Sequence, residues 1–190
     1  MSKLRTFVAI EMPVAVKQSA TQAVATMQKA TESVRWVSTD QLHLTLKFLG
    51  DVEDRDIYSV CQAAQRSVVG IERLSIECGG IGAFPSIQKP RIIWFGAQDP
   101  SGSLTRVFTN LEGELSGLGF PKEPRRFAPH ITLGRVRHGR RNLGDLTEVL
   151  NSFSDASPIE VPVDELTVFT SELHRSGPVY TVVGRAPLDS

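Results

Sequence analysis

The chain has 190 residues, of which 41% are hydrophobic and 22% charged, with 21 basic residues against 21 acidic ones. That length and balance fit one ordinary globular domain with a real core, read here as a single unit over residues 1–190. A net charge of zero argues against a general nucleic-acid sponge, and no apolar run approaches the roughly 20 residues that a helical membrane span needs.

Residues 4–10 read as a first strand, with Phe7, Val8, Ala9 and Ile10 as its buried run. The segment before it lacks the apolar stretch and small-residue cleavage site of a secretory signal. Pro13 suits the first turn of a helix in which Val16, Ala20, Ala23, Val24 and Met27 recur at helical spacing to about residue 30. Arg35-Trp36-Val37 is extended, and Ser38-Thr39-Asp40 turns the chain into a strand that starts at His43 and ends at Gly50-Asp51. Asp54 is the expected N-cap of a second helix with Ile57, Val60, Cys61, Ala64 and Val68 on its inner stripe, closed by Gly70. Residues 74–78 alternate as a strand and run into an irregular glycine-rich stretch over 79–85, and residues 91–96 form its partner. Ser101 or Ser103 caps a third helix with Leu104, Val107, Phe108, Leu111, Leu115 and Leu118 on one face. A proline-punctuated basic loop over 121–129 leads into a strand at His130. Leu143, Leu146, Val149, Leu150 and Phe153 mark a short fourth helix, and residues 159–169 and 179–183 are closing strands around a Gly177-Pro178 turn. About eight strands and four helices, mixed in order, predict an α+β fold. It is bilobal, with two pseudo-symmetric antiparallel-sheet lobes, helices outside and a central cleft.

The repeat that organises this chain is His43-Leu44-Thr45-Leu46-Lys47-Phe48-Leu49-Gly50, which returns as His130-Ile131-Thr132-Leu133-Gly134-Arg135-Val136, 87 positions later. Alternate side chains of a strand share a face. His43, Thr45 and Lys47 would then point one way, and Leu42, Leu44, Leu46 and Phe48 would pack the other. His130 and Thr132 repeat the arrangement. Core strands gain little from His and Thr where aliphatic side chains would pack, so the matched pair points to chemistry. Two imidazoles titrating near neutrality supply a general base and a general acid, and two hydroxyls beside them donate hydrogen bonds to phosphate oxygens. This set suits phosphodiester cleavage without a metal. A hydrolytic zinc site usually needs a third ligand, and no His-x-x-x-His or His-Glu pair lies near either motif. Neither a serine elbow nor a Walker loop is present, and Cys61 and Cys78 fit neither a disulfide framework nor a zinc spacing. A reducing cytoplasm is the expected setting.

Charge is distributed unevenly. Between Lys122 and Arg141 there are seven basic residues and one acid, Glu123, a net of +6 that the rest of the chain balances. Such runs are usually solvated faces, but this one surrounds His130 and would draw phosphate to the cleft. Arg125, Arg126, Arg137, Arg140 and Arg141 are candidates for guiding an RNA strand by its phosphates, without sequence preference. His138 and His174 read as surface residues, and Trp36 and Trp94 as core.

The two motifs resemble the paired His-x-Thr signatures of the 2H phosphoesterase superfamily. They are most similar to the bacterial and archaeal RNA 2′,3′-cyclic phosphodiesterases, historically called 2′-5′ RNA ligases. The strand at 5–10, Arg35-Trp36-Val37, Phe127-Ala128-Pro129 and the stretch 171–180 extend the likeness over nearly the whole chain. The resemblance implies a cofactor-free enzyme that opens an RNA-terminal 2′,3′-cyclic phosphate to a 2′-phosphomonoester, with reversal of the chemistry giving 2′-5′ ligation. It assigns His130 as proton acceptor, His43 as proton donor, and Thr45 and Thr132 as ligands of phosphate oxygens; the chemistry alone leaves the two histidines interchangeable. Arg135 would neutralise developing charge, although strict alternation puts it on the face opposite His130 unless the strand bulges, which Gly134 permits. Phe48 is core by alternation and a base-stacking candidate if the strand twists off, and Arg126 is a further substrate-binding candidate. The alternatives are a relative acting on 2′-5′ oligoadenylate or another small cyclic nucleotide, and a non-catalytic RNA- or nucleotide-binding module. RNA ends are the expected partner, with no membrane and no obligate protein partner implied.

Overall fold

The computed structural model describes residues 2–137, 145–153, 157–175 and 177–190. The chain runs β1 (Lys3–Glu11), α1 (Val14–Ala30), β2 (Val34–Trp36), β3 (His43–Glu53), α2 (Ile57–Ser67), β4 (Leu74–Phe84), β5 (Ile92–Gln98), α3 (Ser103–Gly117), β6 (His130–Val136), α4 (Leu146–Asn151), β7 (Ile159–Val163), β8 (Glu165–His174) and β9 (Gly177–Pro187). His138, Arg140, Arg141 and the Leu143 start expected for the fourth helix lie outside the described residues.

The helices form where apolar residues recur every three to four positions. Val16, Ala20, Ala23, Val24 and Met27 are the buried stripe of α1, and Leu104, Val107, Leu111 and Leu115 that of α3. Fully burying a side chain such as Leu111 or Met27 contributes about 1.5–3 kcal/mol, so these stripes, more than helix propensity, hold the helices to the sheet. No described helix is long and apolar enough to cross a membrane.

Among the described residues the strands form one antiparallel sheet in the order β7-β4-β5-β6-β3-β1-β8-β9, with β2 paired to β6 as a ninth strand. The two lobes expected from the sequence are its two halves, four strands each side of the β3–β6 seam. That seam is a single residue pair, Leu44 against Ile131, both fully buried. Counting outward in antiparallel register from this pair sets His43 opposite Thr132 and Thr45 opposite His130. A pseudo-twofold axis therefore passes through the seam, and the motifs meet because their strands are neighbours.

Several local expectations shift. The irregularity expected over 79–85 is confined to a bulge between Cys78 and Ile81, and β4 continues through it to Phe84. The expected strand over 159–169 is two strands that part at Asp164. Asp54 opens a short 3-10 turn, and α2 starts at Ile57 without a side-chain cap. At α3 the N-cap position is held by Gly102 in the left-handed region, in place of the expected Ser101 or Ser103; the Ser101 hydroxyl accepts from the Ser103 amide at 3.2 Å and Asp99 accepts from the Thr105 amide at 2.8 Å.

Candidate active site

Both motif strands break their own alternation two residues after the threonine. In β3 the register against β1 runs Thr45–Ala9, then Lys47–Val8 and Phe48–Phe7, so Leu46 is absorbed in a bulge. In β6 the register against β5 runs Trp94–Thr132, then Ile93–Gly134 and Ile92–Arg135, so Leu133 is absorbed in the same way. A bulge shifts every later side chain to the other face. The consequence in β6 is that Arg135 stands on the side of His130 and Thr132. Gly134 has no room for a side chain, because a Cβ there would lie 2.6 Å from Val34 Cγ1 and 2.8 Å from Trp36 Cε3.

In β3 the same shift corrects the strict-alternation reading of two residues. Lys47 leaves the face of His43 and turns into the core, 8% exposed, where its Nζ lies 2.6 Å from Glu112 Oε1 and donates to the Pro121 carbonyl at 2.7 Å. Phe48 takes its place on the cleft side, half exposed, with the Arg5 guanidinium 4.9 Å from its ring centroid. Phe48 and Arg135, each five positions after a motif histidine, are thus pseudo-equivalent.

The two histidines are anchored identically. His43 Nδ1 lies 2.7 Å from the Gln41 carbonyl, and His130 Nδ1 lies 2.7 Å from the Ala128 carbonyl. A carbonyl only accepts, so each Nδ1 carries the hydrogen and each Nε2 keeps its lone pair for chemistry. Their surroundings differ. His43 stacks on Phe7 at 4.8 Å between centroids and meets the edge of Tyr180 at 5.5 Å, whereas His130 meets the edge of Phe84, at 5.0 Å. Burial holds both imidazoles below the ordinary 6.5, against the raising effect of the carbonyl bonds; Lys17 adds to the lowering at His43 and Arg135 at His130.

His43, Thr45, Phe48, Thr132 and Arg135 line one cavity of about 540 Å³. His130 is half-buried beside it, opposite Thr45 in register. Arg126 is exposed on the 121–129 loop and does not line the cavity, and Arg125 is occupied by Glu123 at 2.9 Å. His174 is exposed, 3.5 Å from Glu172. Trp36 packs on the core and also lines the cavity, while Trp94 sits half-buried against Phe84. Among the described residues, no group of three or more His, Cys, Asp or Glu is placed to hold a metal ion. Sequence reasoning missed Arg5, Arg35, Gln41 and Tyr180 as cavity residues. Arg5, Arg35 and Tyr180 were signalled only by their strand positions, which have meaning once β1, β2 and β9 are placed around the motifs, and Gln41 ends the 3-10 turn before β3.

The LigT-like phosphoesterase family model matches the chain twice, over residues 10–94 and 96–180, one match per motif. An RNA 2′,3′-cyclic phosphodiesterase of Thermotoga maritima is 36% identical over 180 residues, covering 95% of this chain and 93% of the relative. One from Methanothermobacter thermautotrophicus is 30% identical, covering 94% and 96%. Among solved structures, a Thermus thermophilus protein superposes with a TM-score of 0.77 at 26% identity, over 97% of each chain. E. coli LigT complexed with 3′-AMP superposes at 0.75 and 25% identity, over all of both chains. Fold and likeness together define an α+β phosphoesterase. The chain belongs to the LigT-like phosphoesterase family, and it is an enzyme of the 2H class.

Proposed function

We propose that this protein hydrolyses an RNA-terminal 2′,3′-cyclic phosphate to a 2′-phosphomonoester, with His130 and His43 making the proton transfers. His130 Nε2 takes a proton from water as the water oxygen bonds to phosphorus. The P–O3′ bond breaks, its electron pair goes to O3′, and His43 Nε2 delivers the proton that makes the 3′-hydroxyl. Thr45 and Thr132 donate to the non-bridging oxygens, and Arg135 offsets the charge that builds on them. Phe48 offers a face for a base to stack on, and Arg126, outside the cavity, would meet a phosphate further along the strand. A 5′-hydroxyl of a second RNA in place of water would yield a 2′-5′ linkage by the same steps.

The observation that carries this reading is the twofold-related pair of imidazoles, each locked with Nε2 free and each set across the seam from the other motif's threonine. The choice of substrate is supported by the names of relatives that match this chain over nearly its full length. The test is a product analysis in EDTA with RNA ending in a 2′,3′-cyclic phosphate, resolving 2′- from 3′-phosphate by phosphorus NMR. Wild type should give the 2′-phosphate alone, and His43→Ala and His130→Ala should each lose at least about a hundredfold in kcat. Equal turnover by wild type and both variants would sink the mechanism.

A further inference from the structure

The same cavity is lined by three arginines, Arg5, Arg35 and Arg135, and by no Asp or Glu among the described residues. None of the three belongs to an ion pair among the described residues; the other arginines that do are Arg55, Arg66, Arg73, Arg125 and Arg185. Arg35 is exposed and sits directly opposite Arg135 in the β2–β6 register. Like charges in cross-strand register destabilise a sheet, so the pairing makes sense when an anion lies between or above them. A cyclic phosphate is a diester with a single negative charge. One arginine beside the two threonines suffices for it, which leaves Arg35 without a counter-charge in the reaction as written; Arg5 has Asp51 opposite it in the β1–β3 register but makes no ion pair with it.

We propose that Arg35, assisted by Arg5, forms a subsite for a second phosphate, the one on O5′ of the nucleotide whose cyclic phosphate reacts. This inference rests on the phosphodiesterase reading for its orientation. The reacting group closes the 3′ end of the chain, so the nearest further phosphate is on the 5′ side of the same ribose. About 540 Å³ falls within the usual range for a small-ligand site and leaves room for a nucleotide carrying both groups. Arg5, whose guanidinium already covers one face of Phe48, would meet that phosphate beside the base that Phe48 stacks. The cavity would then select RNA ends, or 5′-phosphorylated nucleotides, over a bare nucleoside cyclic phosphate. The selection would come from charge and would be independent of base sequence.

The test measures binding and turnover separately. Titration calorimetry compares adenosine 2′-phosphate with adenosine 2′,5′-bisphosphate on wild type, Arg35→Gln and Arg5→Gln. The bisphosphate should bind wild type at least about tenfold more tightly, with a steeper salt dependence, and Arg35→Gln should cut that ratio at least about threefold. Arg35→Lys should restore part of it, as a retained point charge would. Turnover compares adenosine 2′,3′-cyclic phosphate, its 5′-phosphorylated form and the dinucleotide with the same end, the advantage of the last two appearing in KM. A 5′-phosphomonoester as good as the dinucleotide supports the subsite and shows that the phosphate alone is read. A binding ratio near one, or a ratio that both Gln variants leave intact, overturns the subsite. A wild-type preference for the bisphosphate that Arg35→Gln reduces, with no turnover of any cyclic substrate, would bring down the phosphodiesterase reading while the subsite stood.

Discussion

His43 and His130 carry the same Nδ1–carbonyl bond, yet a base and an acid need opposite protonation states at the same pH. Burial lowers both, and no carboxylate among the described residues pairs with either ring to raise it, so both are largely neutral in the free enzyme at pH 7. In the proposed mechanism the active form of the free enzyme has His130 neutral and His43 protonated. The alkaline limb of kcat/KM therefore belongs to a histidine that titrates below 6.5, and the optimum should lie on the acid side of that value. A bound phosphate anion favours the charged imidazole, so the kcat profile should sit at higher pH than the kcat/KM profile. Steady-state kinetics from about pH 4.5 to 8.5 checks both statements, and an alkaline limb of kcat/KM above about 7.5 would refute them. The hydroxyls answer to a simpler test. Thr45→Ala and Thr132→Ala should each cost roughly tenfold to a thousandfold in kcat, and serine at either position should recover most of it, because in the proposed mechanism it is the hydroxyl that donates to the phosphate.

The paired bulges decide which side chains enter the cleft, and they explain where the sequence could be read and where it could not. His43, Thr45, His130 and Thr132 were legible because they precede the bulges and obey the period of two. Lys47 and Phe48 follow one, and a period count has no means of seeing the extra residue at Leu46. Gly134 gave a hint for Arg135 that Lys47 could not give for Phe48. Lys47 instead holds the β3 strand to its surroundings: its ammonium pairs with Glu112 of α3 and binds the Pro121 carbonyl, while Glu112 Oε2 accepts the Glu123 amide at 2.6 Å. This buried pair ties the first motif strand to the loop that leads to His130. Lys47→Met would leave Glu112 charged, buried and unpaired, and should destabilise the fold by about 3–5 kcal/mol, read as a lower urea midpoint. The double variant Lys47→Met/Glu112→Gln should recover a good part of that loss, since the uncompensated charge is then gone. Gly134→Val should destabilise by about 1–3 kcal/mol, because its side chain displaces Val34 and Trp36 and with them the strand that carries Arg35.

At the scale of the molecule, two matches of one family model and a sheet with four strands in order on each side of Leu44–Ile131, β2 being an addition beside β6, describe one design used twice. The α+β class, the four helices and the twofold arrangement were readable from periodicity and the repeated motif. The single seam pair that fuses two lobes into one sheet was not, because Leu44 and Ile131 look like any buried strand residues. Placing both motifs at the seam puts two partly buried imidazoles in the middle of the structure, and this links stability to pH in a separable window. Each folded-state pKa lies below the ordinary 6.5, so between 6.5 and the lowered value the unfolded chain binds more protons than the folded one. Stability is therefore full above about pH 6.5 and falls as pH drops through the lowered values. Asp99 contributes a second, more acid step: burial works against its charge, but hydrogen bonds from Thr105 hold its pKa below 3.8, so its share is lost only in that range. Urea midpoints measured from about pH 3.5 to 8 should show the first decline starting near 6.5 in wild type. In His43→Gln/His130→Gln that decline should vanish and leave the more acid step of Asp99, below 3.8, because glutamine takes up no proton in either state. If the double variant keeps the decline near about pH 6, the two motif imidazoles are not the groups that link this fold to acid.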